Sequence, residues 1–360
     1  MQKSIFLDVA CVHKGKYTKR GIIEILDNSN SLGISSLAVI DVLIEKSLLY
    51  QDHQNCIWMH DLIQEMAWKI VDDESKEPGK RSRLWRYNDI SHVFTTNTGT
   101  EAIEAISLCL PKVEEVRQWN GEAFSKLHGL RFLEFGNLIF SSSPKFLPCS
   151  LRTINWSFYP SKFLPTSFQP RFLIELLMLH SKLVRLWEGK MDLPSLKYIN
   201  LTWSNKLKST PDFSGLPNLE TLDLSECKNL VEMHPTIAVL KRLKFLILEG
   251  CESIKSLPSE VEMDSLELFR LDRCSNVKKI PEFGEQMKNV SWMFLSGTAI
   301  EEIPSSIGHL VGLKVLDLRN CKNLKKIPEF GEQMKNVFWI DLSGTGDRGN
   351  TFINWTSSGP

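Results

Sequence analysis

Between Leu196 and Leu342 the chain returns to one six-residue phrase at a nearly fixed interval, and that interval restricts its folds more than any other feature. The phrases are L-K-Y-I-N-L, L-E-T-L-D-L, L-K-F-L-I-L, L-E-L-F-R-L, V-S-W-M-F-L, L-K-V-L-D-L and V-F-W-I-D-L. They begin at Leu196, Leu219, Leu243, Leu266, Val290, Leu313 and Val337, with spacings of 23, 24, 23, 24, 23 and 24 residues. The aliphatic anchors of one copy cannot hide from water alone. Stacking each copy on the next buries them in a shared core, so the array is stable only as a file of neighbours.

Three residues after each phrase comes a small polar or thiol side chain: Ser204, Cys227, Cys251, Cys274, Thr298, Cys321 and Thr345. An aliphatic residue follows, and often Leu-Pro or Ile-Pro. The pattern L-x-x-L-x-L-x-x-C/N is that of a leucine-rich repeat. Its small donor sits where the chain leaves the strand and can bond a buried carbonyl. One cysteine per repeat stacks in a file and does not gather into a tetrahedral metal cluster, so no metal site is expected. Degenerate copies precede the regular ones, starting at Ile103, Leu130, Leu151 and Leu173, and the 27-residue gap after Ile103 leaves room for Val113 to Phe124. About ten or eleven repeats are expected over residues 100–345. Lys278–Val290 and Lys325–Val337 share one sequence 47 residues apart, the mark of a copied repeat pair. Residues 346–360 lose the pattern and form an irregular tail, as if the chain stopped inside a longer solenoid.

The first 75 residues do not repeat. Lys19–Asp27 and Ile34–Glu45 carry helix-spaced apolar residues, including Leu37, Ile40, Leu43 and Ile44. Ser47–Tyr50 and Cys56–Met59 read as short strands around the polar turn from Asp52 to Asn55. A helix is expected from Leu62 to about Val71, with Leu62, Ile63, Met66, Ala67 and Ile70 on one face. Asp61 is placed to be its N-cap, with Gln64 three residues on. The fold class is α/β: a leucine-rich-repeat solenoid of horseshoe type preceded by a small, mostly helical winged-helix module at 1–75. Residues 76–99 are expected to be a linker, since Asp72–Arg83 is charged and broken by Pro78-Gly79.

Lys plus Arg and Asp plus Glu number 43 each, so no net field draws the chain to nucleic acid or an anionic membrane. The predicted helix after Asp61 carries no basic stripe for phosphates, which argues against DNA binding. No run approaches the roughly 20 apolar residues that span a bilayer. Ile5–Val12 is too short and too interrupted for a secretory signal. These features predict a reduced, soluble, intracellular chain of the cytoplasm or nucleus, with neither a nucleic-acid partner nor a membrane span.

Four further phrases stand in order ahead of the repeats: K-S-I-F-L-D-V-A-C from Lys3, V-L-I-E-K-S-L-L from Val42, M-H-D-L-I-Q-E-M from Met59 and P-G-K-R-S-R-L-W from Pro78. Together they resemble plant intracellular immune receptors of the nucleotide-binding leucine-rich-repeat class, in the branch with an N-terminal TIR domain. The resemblance implies an autoinhibited switch. In it His60 faces the β-phosphate of ADP held by the preceding domain, Asp61 supports the loop and Met59 packs inward. A helix N-terminus just after His60 suits a phosphate, and the reading of Asp61 as a plain helix cap stays open beside it. The sequence departs from the family in having no G-x-x-x-x-G-K-[ST]: Gly15-Lys16, Gly79-Lys80 and Gly189-Lys190 are each followed by another residue type. The Walker B strand and the TIR domain are not found in it either. The ADP or ATP of the family is therefore expected not to be retained by this chain, and neither catalytic residues nor enzymatic activity are expected. The implied partners are a pathogen effector or a guarded host protein bound by the repeats, and the receptor's own nucleotide-binding and TIR domains or a full-length receptor. A stand-alone repeat protein, acting as adaptor or decoy for full receptors, is the alternative.

Strand alternation turns the residue before the second anchor of each repeat away from the core. These residues are Phe132, Thr153, Glu175, Tyr198, Thr221, Phe245, Leu268, Trp292, Val315 and Trp339, with Ile247 and Phe294 beside them. Asp223, Glu249, Arg270, Asp272, Asp317 and Arg319 flank the file. Aromatic anchors rimmed by charge are features of protein-binding surfaces. Tyr198, Phe245, Arg270, Trp292, Phe294, Arg319 and Trp339 are the candidate protein-binding residues. The competing reading is that other domains of the intact protein cover this file.

Overall fold

The computed structural model describes residues 1–27, 36–116, 119–328 and 334–346. Two compact units are present: residues 1–160 with 165–176, and residues 161–164 with 177–360.

The first unit opens with helix α1 (Gln2–Asp8), which runs into a π-helical turn at Val9–His13. Helices α2 (Lys19–Asp27) and α3 (Ser36–Glu45) follow; Ile34, expected at the start of α3, lies outside the described residues. Strands β1 (Tyr50–Gln51) and β2 (Ile57–Trp58) pair antiparallel. The Asp52 carboxylate shapes their turn, accepting from the amides of Gln54 (2.8 Å) and Cys56 (2.9 Å) and from Trp58 Nε1 (2.8 Å). Ile22, Ile25, Ile40, Leu43, Ile57 and Met59 fill the core.

Helix α4 (Asp61–Asp72) departs from expectation in two ways. Ala67 and Val71 form its buried stripe, with Ile63 and Ile70 part-buried, whereas Leu62 (68% exposed) and Met66 (47% exposed) face solvent. The N-cap is His60, not Asp61. His60 has extended backbone (φ −64°, ψ 144°), and its Nδ1 accepts from the Leu62 amide at 3.2 Å. Asp61 is already helical, so its carboxylate turns outward to Lys14 Nζ (2.5 Å). Gln64 accepts from the same ammonium (2.8 Å) and donates to the Ala10 carbonyl (2.7 Å).

The stretch read as a linker is folded. It holds a 3-10 turn at Pro78–Lys80, strand β3 (Arg83–Leu84) and helix α5 (Tyr87–Thr96), whose Ile90, Val93 and Phe94 are buried. Gly79 is required there, because a Cβ would lie 2.2 Å from the Thr98 carbonyl oxygen. Strands β4 (Ala105–Val116), β5 (Phe132–Phe140), β6 (Thr153–Trp156) and β7 (Glu175–Leu177) continue from β3 in that order. The extra residues of the first degenerate repeat lengthen β4 and shift its register with β5 between Cys109 and Glu114. Behind these strands Phe94, Trp119, Phe135, Phe140 and Trp156 pack with ring centroids 4.7–6.0 Å apart.

The second unit contains strands β8 (Tyr198–Asn200), β9 (Thr221–Asp223), β10 (Phe245–Ile247), β11 (Glu260–Val261), β12 (Leu268–Arg270), β13 (Glu282–Phe283), β14 (Trp292–Phe294), β15 (Val315–Asp317) and β16 (Trp339–Asp341). Strands β11 and β13 pair apart from the rest. The other seven form a parallel sheet in chain order, one strand per repeat. Ile199, Leu222, Leu246, Phe269, Met293, Leu316 and Ile340 lie directly opposite one another, and all are buried. The anchors are thus lined up as the spacing requires, and each gains its cover from the repeats on either side.

At the end of each strand the thiol or hydroxyl bonds the preceding repeat. Ser204 Oγ and the Sγ atoms of Cys227, Cys251, Cys274 and Cys321 donate to the carbonyls of Met178, Leu201, Leu224, Leu248 and Leu295, at 3.0–3.2 Å. Thr298 bonds within its own repeat, to Leu295 at 2.8 Å. Burial pushes the Cys227 and Cys274 thiols up to about 12, so they are inert donors rather than nucleophiles. One residue earlier, every repeat bends through a left-handed residue: Trp203, Glu226, Gly250, Arg273, Gly297, Asn320 and Gly344, with φ of 58–72°.

Candidate functional site

Tyr198, Thr221, Phe245, Leu268, Trp292, Val315 and Trp339 face one another across adjacent strands of the second unit. The alternation that sinks each anchor leaves these side chains part-exposed, and Trp292 keeps 38% of its surface in solvent. The next file is Asn200, Asp223, Ile247, Arg270, Phe294, Asp317 and Asp341. Of the predicted binding residues, Tyr198, Phe245, Trp292 and Trp339 share the first file and Arg270 and Phe294 the second. Arg319 stands two residues beyond Asp317.

Cations already sit on the rings. The Arg270 guanidinium lies 4.6 Å from the centroid of Phe294, Lys314 Nζ 5.8 Å from Trp292 and the Arg319 guanidinium 6.0 Å from Trp339. Carboxylates hold the arginines in place. Arg319 grips buried Asp317 through Nε (2.9 Å) and Nη2 (2.6 Å), and Arg270 lies between Glu249 (3.5 Å) and Asp272 (3.4 Å). Burial, with added repulsion from Asp317 and Glu249, pushes the Asp272 carboxyl up to about 6 against the pull of Arg270. Sequence reading missed Lys314 and the arm of Arg273, which reaches Glu249 at 2.9 Å. For Lys314 a signal was available, since lysine also stands at the same repeat position in Lys197 and Lys244; arginine at the Arg273 position occurs in that repeat alone.

The file's first three members behave differently. Phe132, Thr153 and Glu175, in the first unit, are buried. The His13 ring stands edge-on to Phe132 with centroids 4.8 Å apart, Tyr17 donates its hydroxyl to Glu175 at 2.7 Å, and Arg152 Nη1 donates to the carbonyls of Ile25 (3.1 Å) and Leu26 (3.3 Å). Lys16 and Ser107 both bond Glu134. The winged helix therefore covers this face of its own first repeats. A buried ion cluster ties them further: Asp8 accepts from Arg83 Nε (3.0 Å) and Nη2 (2.8 Å) and from Arg131 Nη2 (3.2 Å), and Arg131 also reaches Glu104 (2.6 Å).

At the start of α4, Met59 is buried while His60 and Asp61 are exposed. The hydrogen bond that His60 Nδ1 accepts leaves Nε2 as the protonated nitrogen of the neutral ring, a donor turned to solvent at the positive end of a helix. Lys14, through its hydrogen bond and charge, holds the Asp61 carboxyl below its usual range. These groups suit contact with one phosphate. A cradle of successive amides for a whole nucleotide is not formed by them. Among the described residues no helix is long and apolar enough to cross a membrane.

Comparison with known proteins agrees on both parts. Residues 1–75 match the winged-helix domain of Roq1-like disease resistance proteins, and residues 262–359 match the leucine-rich repeats of RPS4B-like disease resistance proteins. Neither is a catalytic domain. The chain is 36% identical to TMV resistance protein N of Nicotiana glutinosa over 236 residues, which is 66% of this chain and 20% of that protein. It is 35% identical to disease resistance protein RPV1 of Vitis rotundifolia over 275 residues (67% and 19%) and 34% identical to disease resistance protein RPS6 of Arabidopsis thaliana over 253 residues (67% and 22%). The chain thus spans about a fifth of the length of these relatives. Among solved structures, the Toll–Spätzle complex of Drosophila shares the repeat fold, with a TM-score of 0.51 and 13% identity over 73% of this chain and 36% of that one.

Proposed function

We propose for this chain, which belongs to the plant disease-resistance proteins of the TIR-type nucleotide-binding leucine-rich-repeat class and carries their winged-helix and repeat domains, a role in recognising a protein and restraining a nucleotide-controlled defence signal. The sheet face of the second unit is the recognition surface. One observation carries this reading: Tyr198, Phe245, Trp292 and Trp339 stand in register on a single face, with solvent-exposed ring surface and charged flanks. Aromatic side chains supply large contact area at little cost in conformational entropy, and arginines add directional bonds. The partner is a pathogen effector or a guarded host protein.

His60 is the contact between this chain and ADP held by a nucleotide-binding domain elsewhere in the receptor. Its Nε2–H and the α4 N-terminus would meet one phosphate, and the nucleotide supplies that negative charge when bound. Asp61 keeps the loop closed through Lys14. The exposed Leu62 and Met66 on the same helix support a covering domain at this corner.

In the full-length receptor, Trp292→Ala combined with Trp339→Ala is expected to abolish the elicited defence response while the protein accumulates normally. An intact response refutes the recognition face. Asp61→Val is expected to signal without elicitor, and a silent variant removes Asp61 from the switch.

A further inference from the structure

The recognition face is not electrically balanced. Along one edge of the aromatic file stand six carboxylates, Asp223, Glu226, Glu249, Asp272, Asp317 and Asp341; all but Asp223 share three arginines, and Glu226 is also 3.9 Å from Lys228, whose ammonium lies nearer Glu252 (2.9 Å). Each guanidinium is divided between two acids. Arg270 serves Glu249 (3.5 Å) and Asp272 (3.4 Å), Arg273 serves Glu226 and Glu249 (2.9 Å), and Arg319 serves Asp317 (2.6 Å) and Asp341 (3.9 Å). Among the described residues Asp223 is met by Ser225 and Asn200. The opposite edge is different, for there Lys197 (3.6 Å) and Lys244 (2.6 Å) converge on Glu220. The surplus of negative charge is thus confined to the edge that carries Asp272, and Asp272 registers it: burial first, then Asp317 and Glu249, hold its carboxyl at about 6.

A second feature, built partly on the same arginines, has the same sign. Arg270, Lys314 and Arg319 sit over Phe294, Trp292 and Trp339, so the rings on this surface are already in contact with cations through their electron-rich faces. Trp292 retains exposed ring surface for another group.

The geometry points to a partner segment that presents lysine or arginine beside an apolar residue, the cation entering beside Glu249 and Asp272 while the apolar side chain packs on Trp292 and Phe294. This rests on the recognition reading above and specifies its chemistry. An incoming cation would relieve carboxylates that now compete for shared arginines. An acidic segment would have to strip Arg270 and Arg319 from Glu249, Asp272 and Asp317 and would add to the surplus, which opposes its approach.

The test uses the full chain. A display library of random peptides is selected on it, and the enriched peptides are titrated against wild type, Asp272→Lys, Asp272→Glu and Trp292→Ala, each first shown to unfold cooperatively and to melt no more than a few degrees below wild type. The expected peptides are rich in lysine or arginine next to an aliphatic or aromatic residue. Their affinity should fall about tenfold in Asp272→Lys, persist in Asp272→Glu, fall in Trp292→Ala and weaken with added salt. Peptides that need Trp292 but carry no basic residue overturn the cationic partner and leave the recognition face standing. Peptides indifferent to both positions overturn the recognition face itself.

Discussion

His13 offers the sharpest test of how the winged helix is seated on its first repeats. The side chain closes the π-helical turn, is 1% exposed, and among the described residues has no hydrogen-bond partner on either ring nitrogen. Its ring meets Phe132 at 4.8 Å and Tyr17 at 5.4 Å, both edge-on. Burial first, then the positive charges of Lys16, Arg131 and Arg83, pushes the imidazole from 6.5 down to about 3. The sign follows directly. The folded chain keeps the ring neutral, whereas the unfolded chain takes up a proton below 6.5. The contribution to stability is therefore complete above that value and is lost as pH falls towards 3. Each pH unit in that window costs about 1.4 kcal/mol, so roughly 2 kcal/mol is lost by pH 5. His13→Phe keeps a ring against Phe132 and removes the titration. Urea denaturation read by helical circular dichroism reports on this unit, because the described α-helices all fall within residues 2–96. Between pH 8 and pH 5, wild type should lose about 2 kcal/mol more than the variant. Equal losses in the two proteins, within about 0.5 kcal/mol, would mean that the ring is hydrated or partnered in the folded chain and would refute the reasoning.

Three more outcomes are expected. Asp8→Asn leaves Arg83 and Arg131 to share Glu104, and breaking a buried pair of this kind costs about 3–5 kcal/mol in urea unfolding. Gly297→Ala puts a Cβ where the nearest atom is 3.8 Å away, so only its left-handed backbone (φ +70°) resists, for a loss of about 1 kcal/mol in thermal or urea unfolding. Asp272→Asn should raise the melting temperature at pH 7. The folded carboxyl holds its proton up to about 6 against 3.8 in the reference state, so its penalty is full above 6, fades as pH falls and is gone below 3.8. The gain over wild type should accordingly disappear near pH 4.

Where the sequence spoke clearly, one physical constraint acted alone. A 23- or 24-residue period with alternating anchors leaves a single register in which Leu222, Leu246, Phe269, Met293 and Leu316 can all be buried, and that register is present. The cysteine slot was legible for the same reason, since a small donor recurs at every bend. Helix α4 was harder. Apolar spacing marks Leu62 and Met66 as well as Ala67 and Val71, and only the surroundings decide which stripe is covered. The cap fell one residue earlier than expected because an imidazole nitrogen accepts a hydrogen bond as a carboxylate does, leaving Asp61 free for Lys14. Polar composition concealed the fold of residues 76–99, where buried Arg83 is matched by Asp8 from a helix 75 positions away. That pairing, like the covering of Phe132 and Glu175 by His13 and Tyr17, joins segments with no local signal in common.

The recognition surface itself can be interrogated with one reagent. A photo-crosslinking benzoyl-phenylalanine in place of Trp292 in the full-length receptor, compared with the same group in place of Lys279, should capture the eliciting protein, or the host protein it modifies, from the first position and not from the second. Capture at position 279 with none at position 292 would contradict the assignment of the aromatic file as the gripping face.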